Sequence, residues 1–157
     1  MKKFILSFGI TLFFGNAFSQ EIKVVNNQFQ TSSGELYSGE YKNLNEDGTV
    51  NFSTLIKDGL LDGPIVYFYP SGIRKETGSF KQGLKDGLWL RYDDNGVKIG
   101  QGSFANGKKD GPWLVWDSTG IKRFEMQYKE GEKVDTWYEF DSTGALVSER
   151  TFNMASK

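Results

Sequence analysis

The chain has 157 residues, 19 of them basic and 20 acidic, and neither His nor Cys occurs in it. Those two absences remove the usual zinc ligands, the usual general base near neutral pH, the Ser-His-Asp arrangement and any disulfide framework. The nearly balanced charge offers no electrostatic footprint for DNA or RNA.

At the N-terminus Lys2 and Lys3 precede an apolar run from Phe4 to Phe14, followed by Gly15, Asn16 and the small residues Ala17 and Ser19. This is the pattern of a signal peptide over residues 1–19, with cleavage expected between Ser19 and Gln20. The run is shorter than the about 20 residues a bilayer span needs. No Cys stands near the cleavage site, so a lipoprotein is not expected. Export to the periplasm or the cell exterior is therefore expected. Loss of the leader leaves 17 basic and 20 acidic residues, net −3, which argues against an anionic membrane as partner. Residues 20–33 read as an N-terminal strand or cap. The alternating run from Ile22 to Val25 predicts a strand within Glu21 to Phe29 that covers one open sheet edge.

From residue 34 to 157 the sequence is repetitive, with a period of 24 residues. DGPIVYFYPSGIRKETGSFKQGLK from Asp62 recurs as DGLWLRYDDNGVKIGQGSFANGKK from Asp86 and as DGPWLVWDSTGIKRFEMQYKEGEK from Asp110. The copies fall near 38–61, 62–85, 86–109, 110–133 and 134–157, the first of them degenerate. Gly72, Gly96, Gly120 and Gly144 share one register, and Gly59, Gly83, Gly107 and Gly131 another. Phe80, Phe104, Tyr128 and Phe152 form an aromatic series. Trp89, Trp113 and Trp137 form a second, with Ile65 in register before them.

Each copy predicts two strands and two turns. One turn is the D-x-x-G of Asp93–Gly96, Asp117–Gly120 and Asp141–Gly144, where the carboxylate accepts backbone N–H groups. The other lies in G-x-x-D-G at Gly83–Gly87 and Gly107–Gly111, read as hairpin punctuation. The intervening segments are of strand length, rich in β-branched and aromatic residues, and without a helical period. Alternation in the first strand of each copy places Val66, Phe68, Leu90, Tyr92, Leu114, Trp116, Tyr138 and Phe140 on one face, expected to be the core. The other face carries Ile65, Tyr67, Trp89, Trp113 and Trp137. A single copy buries too little to offset its chain entropy, so the array is expected to be stable only as a whole.

The pattern F-x-x-G-x-x-D-G-x-W-x-x-Y-x-x-x-G from Phe80 to Gly96, repeated from Phe104 with Trp116 in the Tyr place, resembles the MORN-repeat variant. Tyr37-Ser38-Gly39-Glu40-Tyr41 resembles a more ordinary MORN opening. Bacterial arrays of this kind are often named YwqK-type antitoxins. The resemblance implies an all-β, elongated, single-layer antiparallel meander of tandem hairpins with no catalytic residues. Two features depart from it. Val134-Asp135-Thr136 replaces D-G-x at the last junction, where an altered turn is expected, and the leader sits badly with a cytoplasmic antitoxin.

Candidate functional residues are therefore those of a binding surface: Tyr67, Trp89, Trp113 and Trp137, whose rings suit a protein partner or, alternatively, a glycan of the cell wall. Packing within a curled sheet is the competing use of the same rings. Lys85, Lys109 and Lys133 recur at the repeat spacing and read as solvated turn residues. Asp93 with Asp94 faintly suggests a calcium loop or a glycosidase pair, yet turn chemistry accounts for both. The sequence thus predicts a non-enzymatic interaction module with no cofactor or metal and an unidentified protein partner.

Overall fold

The computed structural model describes residues 9–10 and 21–153. The expected leader, 1–19, lies outside the described residues except for Gly9–Ile10, a two-residue strand (β1). It pairs antiparallel with β2 (Glu21–Val25), which pairs in turn with β3 (Gln28–Thr31), giving a small three-stranded sheet. The remaining strands are β4 (Gly39–Leu44), β5 (Val50–Lys57), β6 (Leu60–Phe68), β7 (Arg74–Lys81), β8 (Leu84–Tyr92), β9 (Lys98–Ala105), β10 (Lys108–Lys109), β11 (Gly111–Trp116), β12 (Lys122–Lys129), β13 (Glu132–Phe140) and β14 (Leu146–Phe152). They form one 11-stranded antiparallel sheet in which every strand pairs with its sequence neighbours, β10 and β11 both lying along β9 and interrupted at Asp110. No helix occurs among the described residues. The all-β meander predicted from the repeat is thus the observed fold.

Two turns alternate. The loops Asp58-Gly59, Gln82-Gly83, Asn106-Gly107 and Glu130-Gly131 each have positive φ at both positions, for example 50° at Asn106 and 79° at Gly107. Two consecutive left-handed residues in a two-residue loop match the type I′ hairpin, whose twist suits the flanking strands. The D-x-x-G turns behave as the sequence predicts. Asp117 Oδ1 accepts from Thr119 N (3.0 Å), Thr119 Oγ1 (2.7 Å) and Ile121 N (3.1 Å), and Asp141 repeats the pattern on Thr143 and Ala145.

The D-G pair does something else. It lies inside a strand and makes a bulge: pairing jumps from Thr77↔Leu90 to Ser79↔Asp86, so β8 carries two residues more than β7 over that interval. Gly87 takes φ 74° there. The same jump recurs at Glu125↔Tyr138 and Gln127↔Val134, where Asp135 adopts φ 56° in the Gly place. The last junction therefore keeps the backbone of the others, against the altered turn expected for it. Asp tolerates the left-handed region better than most side chains because its carboxylate bonds locally.

The bulge explains the Asp. From its position before the bulge glycine, Asp62 Oδ2 accepts from Gln82 N at the tip of the next hairpin (3.2 Å), and Asp110 Oδ2 accepts from Glu130 N (3.1 Å). Backbone bonds run beside them, Gly83 N to Leu61 O, Gly107 N to Lys85 O and Gly131 N to Lys109 O, each 2.8 Å. Each of these hairpin tips is thereby tied to the hairpin before it.

The N-terminal segment departs from the single edge-covering strand expected. It folds as the β2–β3 hairpin in its own sheet, and Ile22 enters a buried cluster with Tyr37, Tyr41 and Ile56, flanked by Phe29, Phe52 and Leu61. Phe29 N donates to Gly59 O at 2.8 Å, fixing it to the first hairpin tip. It acts as an apolar cover over the face that carries Tyr41 and Ile56.

The expected core ladder is also corrected. Across the sheet, Val66, Leu90, Leu114 and Tyr138 alternate with Thr77, Gln101, Glu125 and Glu149 from the return strands. Each apolar residue thus stands between polar ones, and this face remains only half-buried. The deeper burial is on the opposite, aromatic face, where Ile65 is 1% and Trp89 3% exposed.

Candidate interaction face

On the aromatic face three rows of side chains run across the strands. The middle row contains Ile65, Gly78, Trp89, Gly102, Trp113, Met126 and Trp137. The bulge leaves Gly78 and Gly102 room to receive an indole. A Cβ on Gly78 would stand 2.2 Å from Cδ2 of Trp89, and one on Gly102 would stand 2.2 Å from Cδ2 of Trp113. Each indole therefore leans over the strand before its own. Trp113 Nε1 donates to Ser103 O (3.2 Å) and Trp137 Nε1 to Gln127 O (3.1 Å), while Trp89 Nε1 is buried without a partner.

The next row supplies rings between the indoles. Phe80, Trp89, Phe104, Trp113, Tyr128, Trp137 and Phe152 form one continuous chain of edge-on and tilted contacts with centroids 4.8–5.9 Å apart. Lys85 Nζ lies 3.6 Å from the Trp89 ring centroid, Lys109 Nζ 4.2 Å from that of Trp113, and Lys133 Nζ 4.6 Å from that of Trp137. Such contacts contribute about 0.5–1 kcal/mol each when exposed and more when dry. The three lysines are thus caps on the aromatic chain, not merely solvated turn residues. Lys85 also pairs with Glu76 (3.4 Å).

The sequence-predicted site residues are brought together only in part. Trp89, Trp113 and Trp137 share the middle row, Trp89 fully buried and the other two half-buried. Tyr67 stands in the third row, against Phe52 with centroids 5.5 Å apart, and burial with the neighbouring Glu76 charge raises its hydroxyl pKa. The two carboxylates of Asp93 and Asp94 serve their turn: Asp93 Oδ1 accepts from Asn95 N and Val97 N, and Asp94 Oδ1 from Asn95 Nδ2.

Residues 85–106 match the MORN repeat variant. The matched stretch is the hairpin of β8 and β9 around the Asp93–Gly96 turn, ending at Asn106 in the type I′ loop to β10, and the same bulge and loop recur in the copies beside it. One copy of the array thus matches the MORN repeat variant, and its neighbours are hairpins of the same geometry. A comparison with curated proteins finds no match to the chain.

Apart from Tyr67, the third row was not singled out by its residue types. It runs Asn43, Phe52, Tyr67, Glu76, Arg91, Gly100, Val115, Phe124, Glu139, Ser148 across the sheet. Arg91 and Glu139 are exposed, and Phe124 is 38% exposed. The signal that would have found it is internal. At the 24-residue spacing the return strands read Phe52, Glu76, Gly100, Phe124 and Ser148 here, whereas the adjoining ring position keeps an aromatic from Phe80 to Phe152.

Proposed function

We propose that the chain is an exported, non-enzymatic interaction module that holds a protein partner across its aromatic face, an antitoxin-like or immunity-like role being the specific version. The carrying observation is the division of labour on that face. The Trp and Phe row is occupied by glycine contacts, neighbouring rings and lysine caps, which make a stiff floor. The adjoining row presents Arg91, Phe124 and Glu139 to solvent, a mixture of aromatic and charged groups suited to a protein surface. A glycan reading relies on open indole faces, and the glycine and lysine contacts at Trp89 and Trp113 occupy those faces. Export rests on the Lys2-Lys3 start and the apolar run after it. The lack of catalysis rests on the absence of His and Cys and on acids committed to turns.

A photo-crosslinking residue in place of Phe124, with a second in place of Glu149 on the opposite face, tests this in the native cell envelope. One protein captured from the first position and not from the second is expected. Equal capture from both faces, or none from either, sinks the proposal.

A further inference from the structure

Gly100 stands apart from the other glycines of the sheet. Gly78 and Gly102 lie under indoles, and the turn glycines have positive φ, but neither reason applies here. Gly100 is outside the left-handed region, and a Cβ on it would meet only Arg91 Cβ at 3.5 Å and Leu114 O at 3.8 Å, both ordinary contacts. At this column the next copy places a phenyl ring, Phe124, and the copy two before that of Gly100 another, Phe52, with Glu76 in the copy between. Their backbone pairing is the same: Phe52 is flanked by Asn43 and Tyr67, Gly100 by Arg91 and Val115, and Phe124 by Val115 and Glu139. The missing side chain leaves a slot of about 230 Å³ lined by Glu76, Trp89, Arg91, Gly100, Trp113 and Val115. That is smaller than the roughly 300–1,000 Å³ of a small-molecule pocket and suits one inserted side chain.

Charge narrows the occupant. Glu76 is engaged by Lys85 at 3.4 Å, whereas Arg91, exposed beside the slot, makes no ion pair among the described residues. A guanidinium presents a fork that a carboxylate fits. We propose that the slot over Gly100 receives an aromatic side chain of the protein partner, carried next to a carboxylate that pairs with Arg91. The ring takes the place that Phe52 and Phe124 fill in their own copies, and the desolvated insertion makes this the centre of the contact. This inference rests on the interaction reading above and assigns its anchoring point.

N-acetyl-L-phenylalanine is the simplest probe, because it carries the ring and the carboxylate together. Titrated into the isotope-labelled protein, it is expected to shift the Gly100 amide and the Trp113 indole N–H saturably, with Kd on the order of 1 mM for a fragment of this size. Its neutral amide should bind roughly tenfold more weakly. Gly100→Phe should abolish both sets of shifts, and Arg91→Gln should erase the preference for the acid. Absence of saturable shifts, or shifts surviving in Gly100→Phe, overturns the proposal. If Gly100→Phe does not fold, an unchanged acid preference in Arg91→Gln overturns it alone. The titration uses no partner, so its failure leaves the crosslinking outcome untouched.

Discussion

The indole of Trp113 covers the backbone of Gly102, its Cδ2 and Cε2 atoms 2.2 and 2.3 Å from where a Cβ would stand. Neither neighbour gives way cheaply, because the indole is held by its hydrogen bond to Ser103 O and by the rings of Phe104 and Tyr128. Gly102→Ala should therefore destabilise the protein by about 1–3 kcal/mol, the usual cost of overpacking. Gly100→Ala, two residues away on the same strand face, should be neutral or stabilising by about 0.4–1 kcal/mol, since it only restricts the unfolded chain. Urea denaturation midpoints of the two variants decide this, and equal losses in both would refute it.

The burial of Trp89 at 3% exposure assigns it to the fold before any partner. Trp89→Ala should cost about 3–5 kcal/mol, as large-to-small changes of aromatic core residues do. Thermal unfolding followed by far-ultraviolet circular dichroism is the check. A variant as stable as the parent would return the indole to the list of surface contacts.

Gln82 occupies the first position of a type I′ turn with φ 49°, a conformation that Asn accepts more readily, as Asn106 does at φ 50° in the next copy. Gln82→Asn leaves the backbone N–H that bonds to Asp62 in place. A gain of roughly 0.5–1 kcal/mol is expected from relief of the left-handed strain. A lower denaturation midpoint would show that the Gln side chain contributes something the turn geometry does not require.

Acid should weaken the array through its turns. Hydrogen bonds from Thr119 hold the Asp117 carboxyl below the usual aspartate range, with Ile121 N and the Arg123 charge acting in the same direction. Thr143 and Ala145 do the same for Asp141, Thr49 for Asp47, and Glu130 N with Lys129 for Asp110. A depressed folded-state pKa contributes stability that is complete above the unfolded value of about 4 and is lost as pH falls through the folded value. Stability measured from pH 7 to 2 should be level above about pH 5 and fall below about pH 4. Asp141→Asn keeps an accepting oxygen without a titrating proton, so it should reduce the acid slope. A slope unchanged by Asp141→Asn would place the acid sensitivity elsewhere.

The architecture was legible because its determinants are local and repeated. Gly at the hairpin tips and Asp at the D-x-x-G turns carry conformational demands readable one residue at a time. Which face is buried was not. Alternation in the first strand alone favours Leu90 and Leu114 over Trp89 and Trp113, and only the pairing partners reverse it. Gln101 and Glu125 interrupt the leucines, whereas Gly78 and Gly102 open space for the indoles. The D-G bulge was misread for a related reason. Its glycine looks like that of a turn, and the Asp carboxylate finds its N–H partner 20 residues later. The Lys caps on the rings followed from the bulge as well: Lys85 and Trp89 share a face by alternation, and the bulge shortens the distance between them, Lys85 to Leu90 spanning only Phe80 to Thr77 on β7.

The tethering of each hairpin tip to the hairpin before it gives the molecule a growth direction. A unit added at the C-terminal end meets a docking edge already formed, and it leaves behind another of the same kind. Whole units can thus be gained or lost by duplication and deletion of DNA without redesigning any junction, each changing the sheet width by two strand spacings, roughly 10 Å. Width in this architecture is an inherited setting, adjustable in fixed steps to the dimensions of whatever must be spanned.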